Sequence, residues 1–311
     1  MRRLLTVAAI AAALLLPSGP LPVAEAGSGT PPATGRWSAR EAEAFWTADR
    51  MASAAPVNAG TPDGPAAAAE PPGTGTDFDG IPVVGRMFVM KDGGAYFCTA
   101  SVVSSPGRNL VLSAAHCLLG TDARQVAFVP LYTAENPQPY GMFPVLRDAQ
   151  GRSKVWIDPR YKSLGADAAA TLDVAFAQVG PDADGFPVEE VVGGNRLVTD
   201  AGYAHPQVTL IGYPASAARP RLCVNRTTEF TSTDPGIPGT FLRIDCTGYP
   251  GGTSGGPFLT HYDEETETGN VVGVIGGWKT GGETADTSYS SYFGADVRKL
   301  YQKAVAEAAA G

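Results

Sequence analysis

The chain has little histidine and little positive charge. Three histidines stand among 311 residues, and 23 Lys and Arg face 31 Asp and Glu, a formal net charge of −8. A nucleic acid or an anionic bilayer selects a basic face that this balance does not supply, so neither is expected as a partner. Cysteine is sparse too: four residues, with no C-x-x-C pair among them. With so few histidines beside them, no structural metal is expected, and no other cofactor is implied. Long apolar runs are missing after the first residues. The one present, LLTVAAIAAALLLP, follows Arg2 and Arg3, and its uncharged stretch at 4–16 is shorter than the ~20 residues that span a bilayer. Ala24 and Ala26 then make an A-x-A pattern. Residues 1–26 therefore read as a secretory signal peptide, and the expected protein is a secreted, extracellular, soluble monomer. Four cysteines in an exported chain read as two disulfides, with three connectivities open.

Composition divides the remainder. Residues 27–77 hold two tracts rich in Gly, Pro and Ala, GSGTPPATG and NAGTPDGPAAAAEPPGTGTD. Between them, WSAREAEAFWTADRMASA offers Ser38 and Glu41 as a capping box for a short helix. This region is expected to be a pro-segment that is removed, or a flexible linker. From Phe78 the texture is β. Short runs rich in Val, Ile, Phe and Tyr, such as VVGRMFVM, AYFCTASVV and LVLSAAHC, alternate with turn signals such as KDGG and SSPGRN. At the end, Val297, Leu300, Tyr301, Ala304, Val305 and Ala308 fall at helical spacing, which predicts an amphipathic C-terminal helix.

Two stretches carry the chemistry. GYPGGTSGGPFL, residues 248 to 259, sets Ser254 among glycines and prolines; a reactive serine needs backbone N–H groups close by. NLVLSAAHCLLG puts His116 at the end of an apolar strand, with small Ala114 and Ala115 before it and Cys117 after it. Cys117 is placed to pin this segment to Cys98. His205 and His261 have no such surroundings and read as ordinary surface residues.

LSAAHC and GGTSGGP resemble the histidine and serine motifs of the chymotrypsin-like (trypsin-fold) serine endopeptidases, and the secreted bacterial branch near the glutamyl endopeptidases in particular. The order, histidine early and serine late, also fits that family. The resemblance runs over about residues 78 to 303. It implies an all-β fold of two antiparallel six-stranded barrels, at 78–185 and 186–311, the second including the C-terminal helix packed behind it. It also implies an acid between the two motifs. Asp173 in TLDVAFAQV fits the family's D-(I/V)-A segment, and the apolar strand it opens would bury it against His116; Asp158 and Asp167 lie in the same interval, and Asp167, the main rival, sits in LGADAAA, which reads as a surface loop. In those roles Ser254 is the nucleophile, His116 the base and Asp173 the group that holds the imidazole. The N–H groups of Gly252 and Ser254 would receive the oxyanion, and protein or peptide substrates follow.

The resemblance has departures. Animal members carry an acid just before the serine to pair with a freed N-terminus; here Thr253 stands there. The specificity pocket is expected from Gly248, Tyr249, Ile275 and Trp278, none of which offers a charge, so an uncharged residue before the scissile bond is expected. Cys98 and Cys117 bracket strands leading to the histidine, and Cys223 and Cys246 bracket strands leading to the serine, which favours bridges 98–117 and 223–246. Two other classes compete. GTSGG also satisfies the G-x-S-x-G elbow of the α/β-hydrolase esterases, but Pro257 and an acidic turn follow where that fold needs a helix, and the only later histidine, His261, is too close to the serine to follow an acid in that order. A secreted β-barrel binding protein with a decayed triad is the other alternative, and all three roles are filled.

Overall fold

Asp92 and Gly93 close a hairpin, both at positive φ (49° and 80°), a two-residue turn whose twist matches that of the flanking strands. The computed structural model describes residues 37–58 and 73–309. The expected signal peptide, residues 1–26, lies outside the described residues, as do 27–36 and 59–72. The hairpin strands, Val84–Lys91 and Gly94–Val103, run antiparallel with Arg86 opposite Thr99 and Met87 opposite Cys98. They sit within a curled antiparallel sheet that also takes Leu110–Ser113, Val126–Pro130, Val155–Ile157 and Ala175–Gln178. A second sheet of the same kind is built from His205–Gly212, Arg221–Thr231, Thr240–Asp245, Pro257–Asp263, Thr268–Val274 and Thr287–Ser291. Two-residue strands extend both sheets, Phe143–Pro144 on the first and Arg196–Leu197 on the second. The all-β class and the two antiparallel halves agree with the sequence reading.

Each disulfide stays within one half. Cys98 is joined to Cys117 across 19 residues, and Cys223 to Cys246 across 23.

The C-terminal helix forms at Ala295–Ala309, and Val297, Leu300 and Ala304 are its buried face. Its location differs from the expectation that it backs the second sheet. The Tyr301 ring packs at a tilt on Phe176, centroids 5.6 Å apart, and donates its hydroxyl to Ser104 O (2.7 Å), while Trp156 Nε1 donates to Glu307 (2.7 Å). All of these partners belong to the first half. The apolar stripe fixes which face is buried but carries no address, and the uncovered face it meets is formed by Val155–Ile157 and Ala175–Gln178.

The segment before residue 78 pairs with both sheets. Ser38 makes the capping box with Glu41, whose carboxyl is held below its ordinary value by the backbone and hydroxyl of Ser38. The helix it starts, Ala39–Phe45, ends after two turns because Thr47 caps a second short helix, Ala48–Ala52, by accepting from Arg50 N–H. Neither helix stands apart from the sheets. Trp46 and Met51 are fully buried, and Trp46 packs on Phe88 with ring centroids 5.4 Å apart. Ala55–Pro56 then pairs in parallel with Tyr96–Phe97 of the first sheet, and Thr76–Asp77 pairs with Arg221–Leu222 of the second. The main core accordingly joins Trp46, Phe88, Phe128, Phe176 and Leu300, whereas Leu210, Leu242, Ile244 and Phe258 form a separate cluster in the second sheet.

Candidate active site

Strand pairing brings His116 and Asp173 together. Leu110–Ser113 and Ala175–Gln178 are antiparallel neighbours with Ser113 opposite Ala175. His116 follows the end of one strand and Asp173 precedes the start of the other, so both project beyond the same edge. The turn Ala115–Leu118 carries His116, and the fully buried Ala114 and Ala115 leave room for its ring. Lys91 Nζ donates to the His116 carbonyl (2.9 Å), and the Cys98–Cys117 bridge ties the turn to the first hairpin.

Asp173 is 1% exposed and accepts three hydrogen bonds. His116 N–H donates to Oδ1 (2.9 Å), Gly277 N–H to Oδ2 (2.9 Å), and His116 Nδ1 lies 2.7 Å from Oδ2. Burial pushes this carboxyl up. The charge and hydrogen bond of His116, with the two backbone N–H groups, outweigh that and hold it below the usual carboxylate value. A carboxylate at Nδ1 keeps the ring proton there and leaves Nε2 as the basic atom. Nε2 is buried and has no hydrogen-bond partner among the described residues.

Ser254 comes from the second half, on the loop before Pro257–Asp263, and is 5% exposed. Its carbonyl oxygen accepts from Thr99 N–H (2.8 Å) and lies 3.9 Å from Sγ of Cys117, the residue after His116. Two glycines of this loop have no substitute. Gly252 has φ +98°, and a Cβ there would sit 2.7 Å from the Phe97 ring and from Tyr213 O. A Cβ on Gly255 (φ +82°) would come within 2.2 Å of Ser113 Oγ and Thr99 O. Among the described residues, the N–H groups of Gly252 and Ser254 have no protein acceptor. A loop held this close to the first sheet, with two N–H groups unused, has what an oxyanion site requires.

Cys98, Cys117 and His116 gather their sulfur and nitrogen atoms within 4.8 Å. Both sulfurs belong to the disulfide, so no thiolate remains to ligate a metal.

Residues 98–274, more than half of the chain, match the family model of the trypsin-like peptidase domain. The chain belongs to the trypsin-like peptidase family. It is a hydrolase of peptide bonds. Solved structures similar to this peptidase include the protease Anisep from Arthrobacter nicotinovorans, at 22% identity over 75% of this chain and 99% of that one, with a TM-score of 0.60. A thermostable serine protease, AL20, from an extremophilic microorganism is 22% identical over 72% of this chain and 97% of that one (TM-score 0.58). A Glu endopeptidase in complex with MPD is 16% identical over 76% and 98% (TM-score 0.52). At these identities the likeness establishes the chymotrypsin-like fold. No curated protein matches the sequence significantly.

Beside Ser254 the peptidase has a small recess, open to solvent. Of the four residues expected around it, Tyr249 and Ile275 line it, whereas Gly248 and Trp278 do not. Gly248 O accepts from Arg221 Nη1 (3.2 Å), whose guanidinium is paired with Asp77. The Trp278 ring packs on Phe230 and Tyr289, at 5.2 and 4.7 Å. Several lining residues were missed from sequence, Thr280, Glu283 and Asn58 among them. Thr280 and Glu283 lie on a loop whose path no local pattern reveals, and Glu283 is ion-paired with Lys279. Asn58 comes from the segment read as a pro-segment or linker; Val57 N–H donates to Phe97 O (3.1 Å) and so leads Asn58 to the recess. Thr99 was missed as well, because a threonine after a cysteine carries no signal of its own. His205 and His261 lie on the second sheet's strands His205–Gly212 and Pro257–Asp263.

Proposed function

We propose that this peptidase is a secreted serine endopeptidase that works through Ser254, His116 and Asp173 and needs no cofactor. Ser254 Oγ attacks the scissile carbonyl carbon and gives its proton to His116 Nε2. The resulting oxyanion is received by the N–H groups of Gly252 and Ser254. The imidazolium, steadied by Asp173, passes the proton to the departing amine and leaves an acyl-enzyme. Water then releases the acid half by the same route in reverse. The observation that carries this reading is the His116 ring, bound at Nδ1 to a buried carboxylate with Nε2 unpaired.

A fluorophosphonate probe is expected to label Ser254 alone, with labelling lost in Ser254→Ala and steeply reduced in His116→Ala. Robust peptidase activity in Ser254→Ala would end the assignment. For specificity, a side chain entering the recess meets Tyr249 and Ile275, and the charge of Glu283 is already engaged by Lys279. Burying an unpaired charge there is costly, so an uncharged residue before the scissile bond is favoured. A peptide-library cleavage profile tests this; a tenfold or greater preference for Arg, Lys or Glu at that position refutes it.

A further inference from the structure

The loop that bears Gly252 and Ser254 needs an anchor outside itself, because its two unused N–H groups face one point only if the loop is fixed. An acid at position 253 would offer a partner for a buried ammonium. The residue is Thr253, 2% exposed, and its hydroxyl donates to Pro250 O (2.8 Å), a bond internal to the loop. The anchor therefore lies elsewhere.

Thr99 meets the requirement. It lies on Gly94–Val103 of the first sheet, is fully buried, and spends every polar group it has. Its N–H donates to Ser254 O (2.8 Å), and its hydroxyl donates to Gly252 O (3.0 Å). The same hydroxyl oxygen accepts from Tyr213 N–H (2.9 Å), and its carbonyl accepts from Ser113 Oγ (2.8 Å). Gly252 O and Ser254 O belong to the peptide groups on either side of the Thr253–Ser254 peptide. Both carbonyls turn toward Thr99, Thr253 O accepts from Gly256 N–H (2.9 Å), and the trans peptide sends the Ser254 N–H opposite to Thr253 O. The Phe97 ring closes the other side of Gly252 and is itself covered by the Arg86 guanidinium at 3.9 Å.

We infer that Thr99 is a positioning residue for the reaction: its hydroxyl reaches from the first sheet to Gly252 and holds the oxyanion loop with its N–H groups forward. This hydroxyl takes the part that a charged latch at 253 would otherwise play. The inference rests on the reading of Ser254 as nucleophile and of Gly252 and Ser254 as oxyanion donors.

The test compares Thr99→Val, which keeps the shape and removes the hydroxyl, with Thr99→Ser, which restores the hydroxyl alone. Both are made in the full chain. Fluorophosphonate labelling of the unaltered protein is read first, since absence of label at Ser254 would defeat the underlying reading whatever Thr99 does. With that label present, Thr99→Val is expected to lower kcat about 10- to 100-fold, short of the ~100- to 1,000-fold cost of deleting a donor outright. KM is expected to stay within about threefold, because substrate binding is not what the hydroxyl serves. Affinity for a peptide aldehyde, whose adduct places an oxyanion in the same site, should fall in step with kcat. Thr99→Ser should recover both to within about threefold of the unaltered protein. Should Thr99→Val not fold, Thr99→Ala is measured in its place against the same serine variant. Unchanged kcat and aldehyde affinity in a folded Val or Ala variant overturns the inference, and so does failure of Thr99→Ser to recover them.

Discussion

Asp173 keeps its charge in a site almost closed to water, and that gives its ionisation a visible effect on stability. Its carboxyl is lower in the folded protein than in an unfolded chain, where it titrates near ~4. The stabilisation is complete above that unfolded value and is lost as pH falls through the lower, folded one. Asp173→Asn should therefore melt lower than the unaltered protein at pH 7 and show a shallower fall of Tm below about pH 4. Calorimetry from pH 2 to 7 decides this; an equally steep acid limb in the variant would assign the acid sensitivity to other carboxylates. Asp173 was legible from sequence because an apolar strand follows it directly. Its distant backbone partner was not: Gly277 lies 104 residues away, and only the fold brings its N–H to the oxygen that also faces the imidazole.

Among the elements, the two short helices at 39–52 matter most to the first half. They read from sequence as a capped helix between glycine- and proline-rich tracts, and the capping box is present. What composition did not show is that Trp46 is a core residue. A short amphipathic helix has the same pattern whether it lies over a surface or completes one, and its partner Phe88 is distant in sequence. Trp46→Ala should cost about 3–5 kcal/mol, seen as a lowered denaturation midpoint with little change in m. A loss below about 1 kcal/mol would mean that the helices are not part of the cooperative unit. If the chain is cut between residues 58 and 73, the fragment should stay bound through Trp46 and Met51. It should co-elute in native chromatography and separate on a denaturing gel, since neither disulfide reaches it.

For the whole molecule, the question is what keeps the two halves in register, since the candidate site takes His116 and Asp173 from one and Ser254 from the other. Both bridges close loops inside a single half, so no disulfide crosses between them among the described residues. Replacing Cys223 and Cys246 together by Ala should cost about 3 kcal/mol of stability through the unfolded chain, measured by denaturant titration. Docking of the halves should be little affected, and kcat of the folded variant should stay within about threefold of the unaltered protein. A collapse of kcat at temperatures where the variant remains folded would show that this bridge shapes the site directly. The two-half plan was legible because both motifs sit at strand ends with the right order. The crossing contacts, Thr99 to Gly252 foremost, were not, because they join residues 153 apart through one hydroxyl.

The position of the C-terminal helix has a consequence for the order in which the chain is made. Ribosomes release a polypeptide from its N-terminus onward, and early domains ordinarily fold while later ones are still being synthesised. The first half cannot do so here. Its outer face at Trp156 and Phe176 stays uncovered until Tyr301 and Glu307 arrive, which follow the whole second half in the chain. A nascent chain lacking its tail holds both serine and histidine motifs, yet its first half is unfinished. Final assembly of the hydrolytic cleft is thereby deferred until the helix Ala295–Ala309 has been made, and a product truncated before it is denied a completed one.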